Sequence, residues 1–251
     1  MRIFQSDRSV FFDEAPVGSA SYTDLNLEVF GEFLIDYYNV KANEEQMNGY
    51  LKNLHLIDSE GKPTLSGILF FGRKPQFHVP TAKVICAYFK NDDMASPPSD
   101  KKEITGRIYD ILEDTQRFLR LYLTEEHQIK GFEPESKFEI PEAALREAIV
   151  NAIAHRDYTI SAPIRILIFK NRIEIRTPGK LPNTVTIESM KIGGSHVLRN
   201  PTIYNLLSKY GMVTDLGSGV RRIIKLVKEH LNKEVEFLEI DNEFVLILPR
   251  K

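Results

Sequence analysis

Apolar positions recur at helical spacing along much of the chain, most clearly from Pro141 to Tyr158 (PEAALREAIVNAIAHRDY). There Leu145, Ala148, Ile149, Ala152 and Ile153 form one stripe. Val150 and Ala154 widen it round most of the circumference, as in a helix buried on nearly all sides. Glu147, Asn151 and His155 lie four residues apart and share the remaining face. A carboxylate, a carboxamide and an imidazole are costly on a buried helix unless paired or liganded. This stripe is the first candidate for chemistry.

The first half predicts a mixed platform. Ser9 to Phe12 reads as a short strand. Asp24 is placed to cap a helix carrying Leu27, Phe30, Phe33, Leu34, Tyr37 and Tyr38. Asn43 and Gln46 form a capping-box pattern before a second helix with Met47, Tyr50, Leu51 and Leu54 on its apolar face. A turn-rich link, Leu56 to Pro63, leads to the apolar run Gly67 to Phe71, which reads as hairpin-like. Two helices and a hairpin make either a winged helix that reads DNA or a small packing element. The second helix offers only Lys52 as a cation, which favours packing. Thr81 to Lys90 predicts a buried strand, Asn91 to Lys102 an exposed loop, and Ile108 to Tyr122 an amphipathic helix. The polar stretch Thr124 to Ser136 predicts a boundary between a first domain, 1–130, and a second, 131–251.

The second half alternates with period two. Ile164, Ile166 and Ile168, then Ile173 and Ile175 across a Lys170–Asn171 turn, predict a hairpin. Thr177-Pro178-Gly179-Lys180-Leu181-Pro182 follows as a permissive loop. Two short helices are expected within 183–216, the second capped by Asn200 with Pro201 at its first position. Gly217-Ser218-Gly219 opens a helix with Val220, Ile223, Ile224, Val227 and Leu231 on one face. Arg221, Arg222, Lys225 and Lys228 line the other. Strands Val235 to Ile240 and Phe244 to Leu248 close the chain.

Composition narrows the classes. The 251 residues carry 42% hydrophobic and 27% charged side chains and a net charge of -2. The chain is therefore not a polycation built to coat nucleic acid. One cysteine, Cys86, excludes an internal disulfide and a multi-cysteine zinc site. No secretory signal pattern and no apolar run of spanning length occurs, so the expected location is cytoplasmic, with no membrane partner.

Helix, hairpin, glycine loop and Gly-Ser-Gly turn together suggest a nucleotide site. A glycine turn at a helix start frees backbone N–H groups for phosphate. The Asn151 carboxamide can ligate Mg²⁺, and Glu147 can deprotonate an attacking water. His155 and Arg156 either contact phosphate or sit at the helix end, where cations are favoured.

Residues 138–251 resemble the GHKL (Bergerat-type) ATPase fold. EAALREAIVNAIAHRDYT, IEIRTPGKLP and RNPTIYNLLSKYGMVTDLGSGVRRI are similar to the RecG-like C-terminal branch. SVFFDEAPVGSASYTDLN resembles the linker, and PTLSGILFFGRKPQFHVPTAKV the middle region, of proteins whose first domain is a Schlafen/Alba-type DNA-binding unit. The resemblance implies an α/β fold: a GHKL-type sandwich, with a mixed sheet and helices on one face, preceded by a smaller mixed α/β domain. It further implies that the DNA-binding domain is absent here.

Carried across, Glu147 is the general base and Asn151 the Mg²⁺ ligand. His155, Arg156, Thr177, Gly179, Gly217 and Gly219 are nucleotide-binding positions, and 183–216 is the lid over ATP. Thr177 stands where ATP-binding members have an aspartate for the adenine amino group. The implied roles are an ATP- and Mg²⁺-binding module, with slow hydrolysis, in a DNA-associated transcriptional regulator capable of homodimerising. The alternative is a non-catalytic scaffold or dimerisation unit. No G-x-x-x-x-G-K-[ST] loop is present. His155-Arg156-Asp157 does not open a kinase catalytic loop, because Ala162 occupies the required asparagine position.

Overall fold

Period-two alternation builds one six-stranded mixed sheet with the order β2-β1-β5-β6-β8-β7. Residues 11–123, 125–130, 133–182, 184–193, 197–213 and 217–251 are described in a computed structural model. The sheet strands are β1 (Val84–Tyr88), β2 (Asp100–Ile104), β5 (Ile164–Ile168), β6 (Arg172–Pro178), β7 (Glu236–Ile240) and β8 (Glu243–Pro249). β1 and β5 run parallel; the other neighbours are antiparallel. The register places Cys86 beside Ile166, Ile166 beside Ile175, and Ile175 beside Leu246. These residues share one face and enter the main core, as the strand period requires. The opposite face carries a smaller cluster of Ala87, Phe89, Leu167 and Phe169. Beside it Glu174 accepts from Arg172 at 2.7 Å and from Arg176 at 2.6 Å.

Helices pack on the core face. The chain before β1 forms α1 (Leu27–Tyr38), α2 (Glu44–Asn53), α3 (Leu65–Phe71) and α4 (Pro75–His78). α5 (Ile108–Tyr122) follows β2, and α6 (Glu142–His155) precedes β5. α7 (Ile187–Ile192), α8 (Pro201–Lys209) and α9 (Gly219–Leu231) lie between β6 and β7. The α/β class with a mixed sheet is as expected. β1 and β2 come before residue 130 and β5 to β8 after it, so the sheet draws on both halves of the chain.

Several local expectations need correction. Gly67 to Phe71 is not strand: Thr64 caps Gly67 N at 3.2 Å and all seven residues of α3 are buried. An added Cβ on Gly67 would overlap Leu56 O, so the glycine permits this close approach. After α2 the link closes a single antiparallel bridge, Ile57 with Pro63, and leads straight into α3, so this segment packs and does not present a two-stranded wing. α1 is capped by Asn26, whose Oδ1 accepts from Glu28 N at 3.2 Å; Asp24 instead accepts from Ser21 N. The polar stretch read as a boundary forms a two-stranded hairpin, β3 (Glu125–Lys130) with β4 (Glu133–Phe138). Phe12 lies in a 3₁₀ turn, and the preceding Ser9–Val10 of the expected first strand falls outside the described residues.

The N-terminal turn ties the first half to α8. Asp13 is fully buried; its Oδ2 accepts from Ile203 N at 3.0 Å, while Thr202 Oγ1 donates to Glu14 at 3.0 Å. Oδ1 of Asp13 has no hydrogen-bond partner. Burial, working against the backbone bonds, pushes the Asp13 carboxyl up from 3.8 to about 6. The folded state thus binds this proton more readily than the unfolded chain. The contribution of Asp13 to stability is greatest below the unfolded value and declines as pH rises through the folded one. Relative to Asp13→Asn, the parent should lose on the order of 3 kcal/mol between pH 3.8 and 7. Urea midpoints of both proteins across that range test this, and parallel curves would refute it.

Candidate functional site

α6 presents Glu147, Asn151 and His155 along one wall of a cavity of ≈ 140 Å³. Glu147 is buried, and the Asn151 amide nitrogen lies 3.4 Å from Glu147 Oε1. With its nitrogen towards the carboxylate, the carboxamide directs its oxygen the other way. α9 begins against the same pair. A Cβ built on Gly219 would overlap Glu147 Oε1 and stand 3.1 Å from Asn151 Nδ2. A side chain at 219 would have to displace the end of Glu147, so the glycine lets the helix start approach the carboxylate, and its own dihedrals do not call for it. Gly217 does use the left-handed region, at φ +80°, and lines the cavity beside Gly219. The Ser218 side chain makes no cap bond to α9, and the carboxamide and carboxylate of α6 face this helix start, a position suited to anions.

The far wall is the end of β6. Thr177 is buried and, with Gly179, lines the cavity. Gly179 adopts φ +107°, and an added Cβ would stand 2.6 Å from Asp157 Cβ and overlap Arg199 Nη1. Ile175, Val185, Met190, Phe237, Phe244 and Leu246 supply apolar surface between the two ends.

Of the eight positions expected at the site, seven line this cavity: Glu147, Asn151, His155, Thr177, Gly179, Gly217 and Gly219. Arg156 does not. It is the residue after α6, with extended φ −54° and ψ 141°, so its side chain leaves the helical face that carries His155. Its guanidinium is buried, donates to Ala162 O at 2.7 Å and Thr81 Oγ1 at 3.1 Å, and lies 4.6 Å over the Tyr158 ring. Burial without a carboxylate partner draws its pKa below the ordinary arginine value. It serves packing between α6 and the following loop.

Arg199 and Asn200 were not singled out as site residues, yet they hold this end of the cavity together. Arg199 donates to His155 O at 3.0 Å and Lys180 O at 2.6 Å. Asn200 donates to Ala154 O at 3.0 Å and Arg156 O at 2.8 Å. The last carbonyls of α6, which have no intrahelical partner, are satisfied in this way. Asn200 therefore does not cap α8 through its side chain, as its place before Pro201 suggested. Asp13 supplies that bond. The sequence signal was Arg-Asn immediately before a helix-opening proline.

Residues 161–248 match the family described as "Putative ATP-dependent DNA helicase recG C-terminal". That span is similar to an ATPase-like domain. It covers β5 to β8 with both glycine turns, and stops short of α6. No curated protein matches. Among solved structures, the DIP2311 protein from Corynebacterium diphtheriae is similar over 98% of this chain, with a TM-score of 0.74 and 21% identity. The match takes in 49% of that protein, so the chain spans about half its length. This likeness concerns the fold alone.

The donor set fits magnesium better than a transition metal. Among the described residues no three His, Cys, Asp or Glu side chains gather into a metal cluster. Mg²⁺ commonly takes one or two protein oxygens and completes its shell with water and phosphate. Asn151, with Glu147 one turn away, meets that requirement. Among the described residues, no helix is long and apolar enough to cross a membrane.

Proposed function

We propose that the cavity between α6 and the start of α9 is a magnesium–ATP site with slow hydrolytic activity. The observation that carries this reading is the seating of Gly219 on the Glu147–Asn151 pair. It brings a carboxylate, a neutral oxygen ligand and a glycine-opened helix start to one point, as phosphate binding and water activation both require. The similarity of β5 to β8 to an ATPase-like domain supports the same reading.

Asn151 would hold the metal, which when bound shields the phosphate charge and polarises the terminal phosphoryl group. Glu147 would orient a water and take its proton. His155 would face the phosphates, and the apolar middle of the cavity would take the base and ribose. Of the expected lid, α8 is held to α6 by Asn200 and to the N-terminal turn by Asp13, so the stretch around α7 would close over the nucleotide and couple its presence to the conformation or pairing of a DNA-associated transcriptional regulator.

DNA contact through the cationic face of α9 has less support. Lys225 pairs with Glu229 at 3.8 Å and Lys228 with Glu234 at 2.5 Å. Arg221 packs on the left-handed Gly193 that ends α7. These are the contacts of a helix face engaged with its own chain. The second reading, a scaffold or dimerisation unit without nucleotide, is favoured by Thr177 at the position of a base-holding aspartate.

Calorimetry with a non-hydrolysable ATP analogue and Mg²⁺ separates the two. Binding is expected in the parent and at least tenfold weaker, by roughly 1.4 kcal/mol or more, in Asn151→Ala. No heat at millimolar nucleotide would leave the scaffold reading standing.

A further inference from the structure

Three tyrosines from distant parts of the chain meet on the surface, and none of them lines the cavity. Tyr37 lies in the last turn of α1, Tyr109 in the first turn of α5, and Tyr210 directly follows α8. The Tyr210 ring lies 4.9 Å from that of Tyr37 and 6.0 Å from that of Tyr109. Beneath them the same ring packs at 5.3 Å on Phe33 and 6.0 Å on Phe70, both buried. Tyr37 and Tyr109 remain 37% and 43% exposed. The rings are held from below and open to solvent, so an incoming group meets aromatic surface that loses little freedom on contact.

Two carboxylates beside these rings lack a counter-charge. Asp36 acts with Tyr37 and Tyr109 on the Tyr210 phenol, and Glu32 acts on the neighbouring Arg107 guanidinium. The other charges of this region are engaged. Arg107 gives its bonds to Asp110 at 3.0 Å, and Arg117 pairs with Glu113 at 3.0 Å and Asp114 at 2.7 Å. Arg146 donates to Gly211 O at 3.0 Å, and the Lys209 ammonium lies 5.0 Å over the Tyr38 ring. Glu32 and Asp36 are exposed and make no ion pair with a described residue. They lie one turn apart on α1, a spacing at which like charges repel. Asp36 also stands in the last turn, where the helix dipole disfavours an anion, and no basic residue shares that turn. Nothing in the described chain offsets these costs.

We propose that this tyrosine face is a docking surface for an arginine-bearing segment of a partner protein. A guanidinium lies flat on a tyrosine ring while its edge donates to a carboxylate, and both features stand side by side here. A lysine ammonium is a point charge and uses the rings less well. Tyrosine and arginine are also the residues that dominate protein–protein contacts when they meet. Nucleic acid is the wrong partner, because its phosphates would face two unneutralised carboxylates.

The test is fluorescence anisotropy of the full chain at low salt with labelled hexa-arginine, hexa-lysine and hexa-glutamate peptides. Hexa-arginine should bind, hexa-lysine about threefold or more weakly, and hexa-glutamate not at all. The double variant Tyr37→Ser with Tyr109→Ser should weaken hexa-arginine at least about tenfold, as expected for the loss of two anchoring rings. Glu32→Gln with Asp36→Asn should weaken it about fivefold or more. Glu60→Gln with Glu188→Gln, exposed acids outside this face, should leave binding unchanged. Thermal midpoints show whether each variant stays folded. If the tyrosine pair fails to fold, the preference of the parent for arginine over lysine and the carboxylate variant decide. Equal affinity for the two basic peptides, or unchanged affinity in the folded tyrosine variant, reduces the effect to charge attraction and overturns the proposal. Absence of binding at millimolar peptide overturns it as well. A parent that sediments as a dimer, and as a monomer after the tyrosine substitutions, puts a second copy of this chain on the face and overturns the partner assigned.

Discussion

Glu147→Gln should retain nucleotide binding while releasing phosphate at no more than about one hundredth of the parent rate. The substitution preserves size and hydrogen-bonding reach and removes only the capacity to take a proton. Glu147 is buried at the point where α9 begins, and the Asn151 amide touches it at 3.4 Å. General-base catalysis contributes roughly 10²- to 10⁴-fold, so the loss should appear in turnover and leave affinity almost unchanged. Single-turnover phosphate release, with binding followed in parallel, separates the two quantities. Equal rates in parent and variant would remove Glu147 from the chemistry. A joint loss of binding and rate would show that the carboxylate is needed to hold the site together.

The largest expected stability effect lies away from the cavity, at Arg250. Its guanidinium is buried and donates to Glu139 at 2.6 Å, to Phe169 O at 2.7 Å and to Tyr122 O at 3.0 Å. These partners come from the end of α5, the approach to α6 and the β5–β6 connection. One fork joins three segments, a geometry that a lysine point charge does not reproduce. Arg250→Ala leaves the Glu139 carboxylate buried without its arginine, a change that costs about 3–5 kcal/mol. Arg250→Lys should recover only part of this. Urea denaturation measures both, and a loss below about 1 kcal/mol for the alanine variant would refute the assignment.

The helical and strand periods located most elements because each is a local property of the chain. The α6 stripe was legible for the same reason: Glu147, Asn151 and His155 are positioned by one helix, whose geometry follows from spacing alone. The glycines at 179, 217 and 219 were legible as permissive turns. Their reasons differ, with backbone dihedral at 217, dihedral and close approach together at 179, and close approach alone at 219, and only coordinates separate those causes. α3 was misread because a short apolar run has no period to tell a buried strand from a buried helix. The hairpin of β3 and β4 was missed because its strands are polar, without the alternation that marks a half-buried face. Arg156 was placed at the site by adjacency to His155, yet a residue past the helix end no longer obeys the helical rotation. Arg199 and Asn200 were hidden for a different reason. Their partners are carbonyls of residues 154–156 and 180, and backbone acceptors leave no trace in side-chain identity.

The parallel pairing of β1 with β5 carries a consequence for the birth of the chain. Val84 must wait for Ile164, its partner in the ladder, so β1 emerges from the ribosome well before that edge can be closed. At a synthesis rate of about 5–20 residues per second, the delay is roughly 4–16 s. β2 covers one side of β1 in that interval, with Lys101, Lys102 and Glu103 in its exposed middle. The other side remains an open apolar template of the kind that invites association between nascent chains. Productive synthesis of this protein therefore depends on shielding Val84–Tyr88 from neighbouring polypeptides until the hairpin of β5 and β6 arrives.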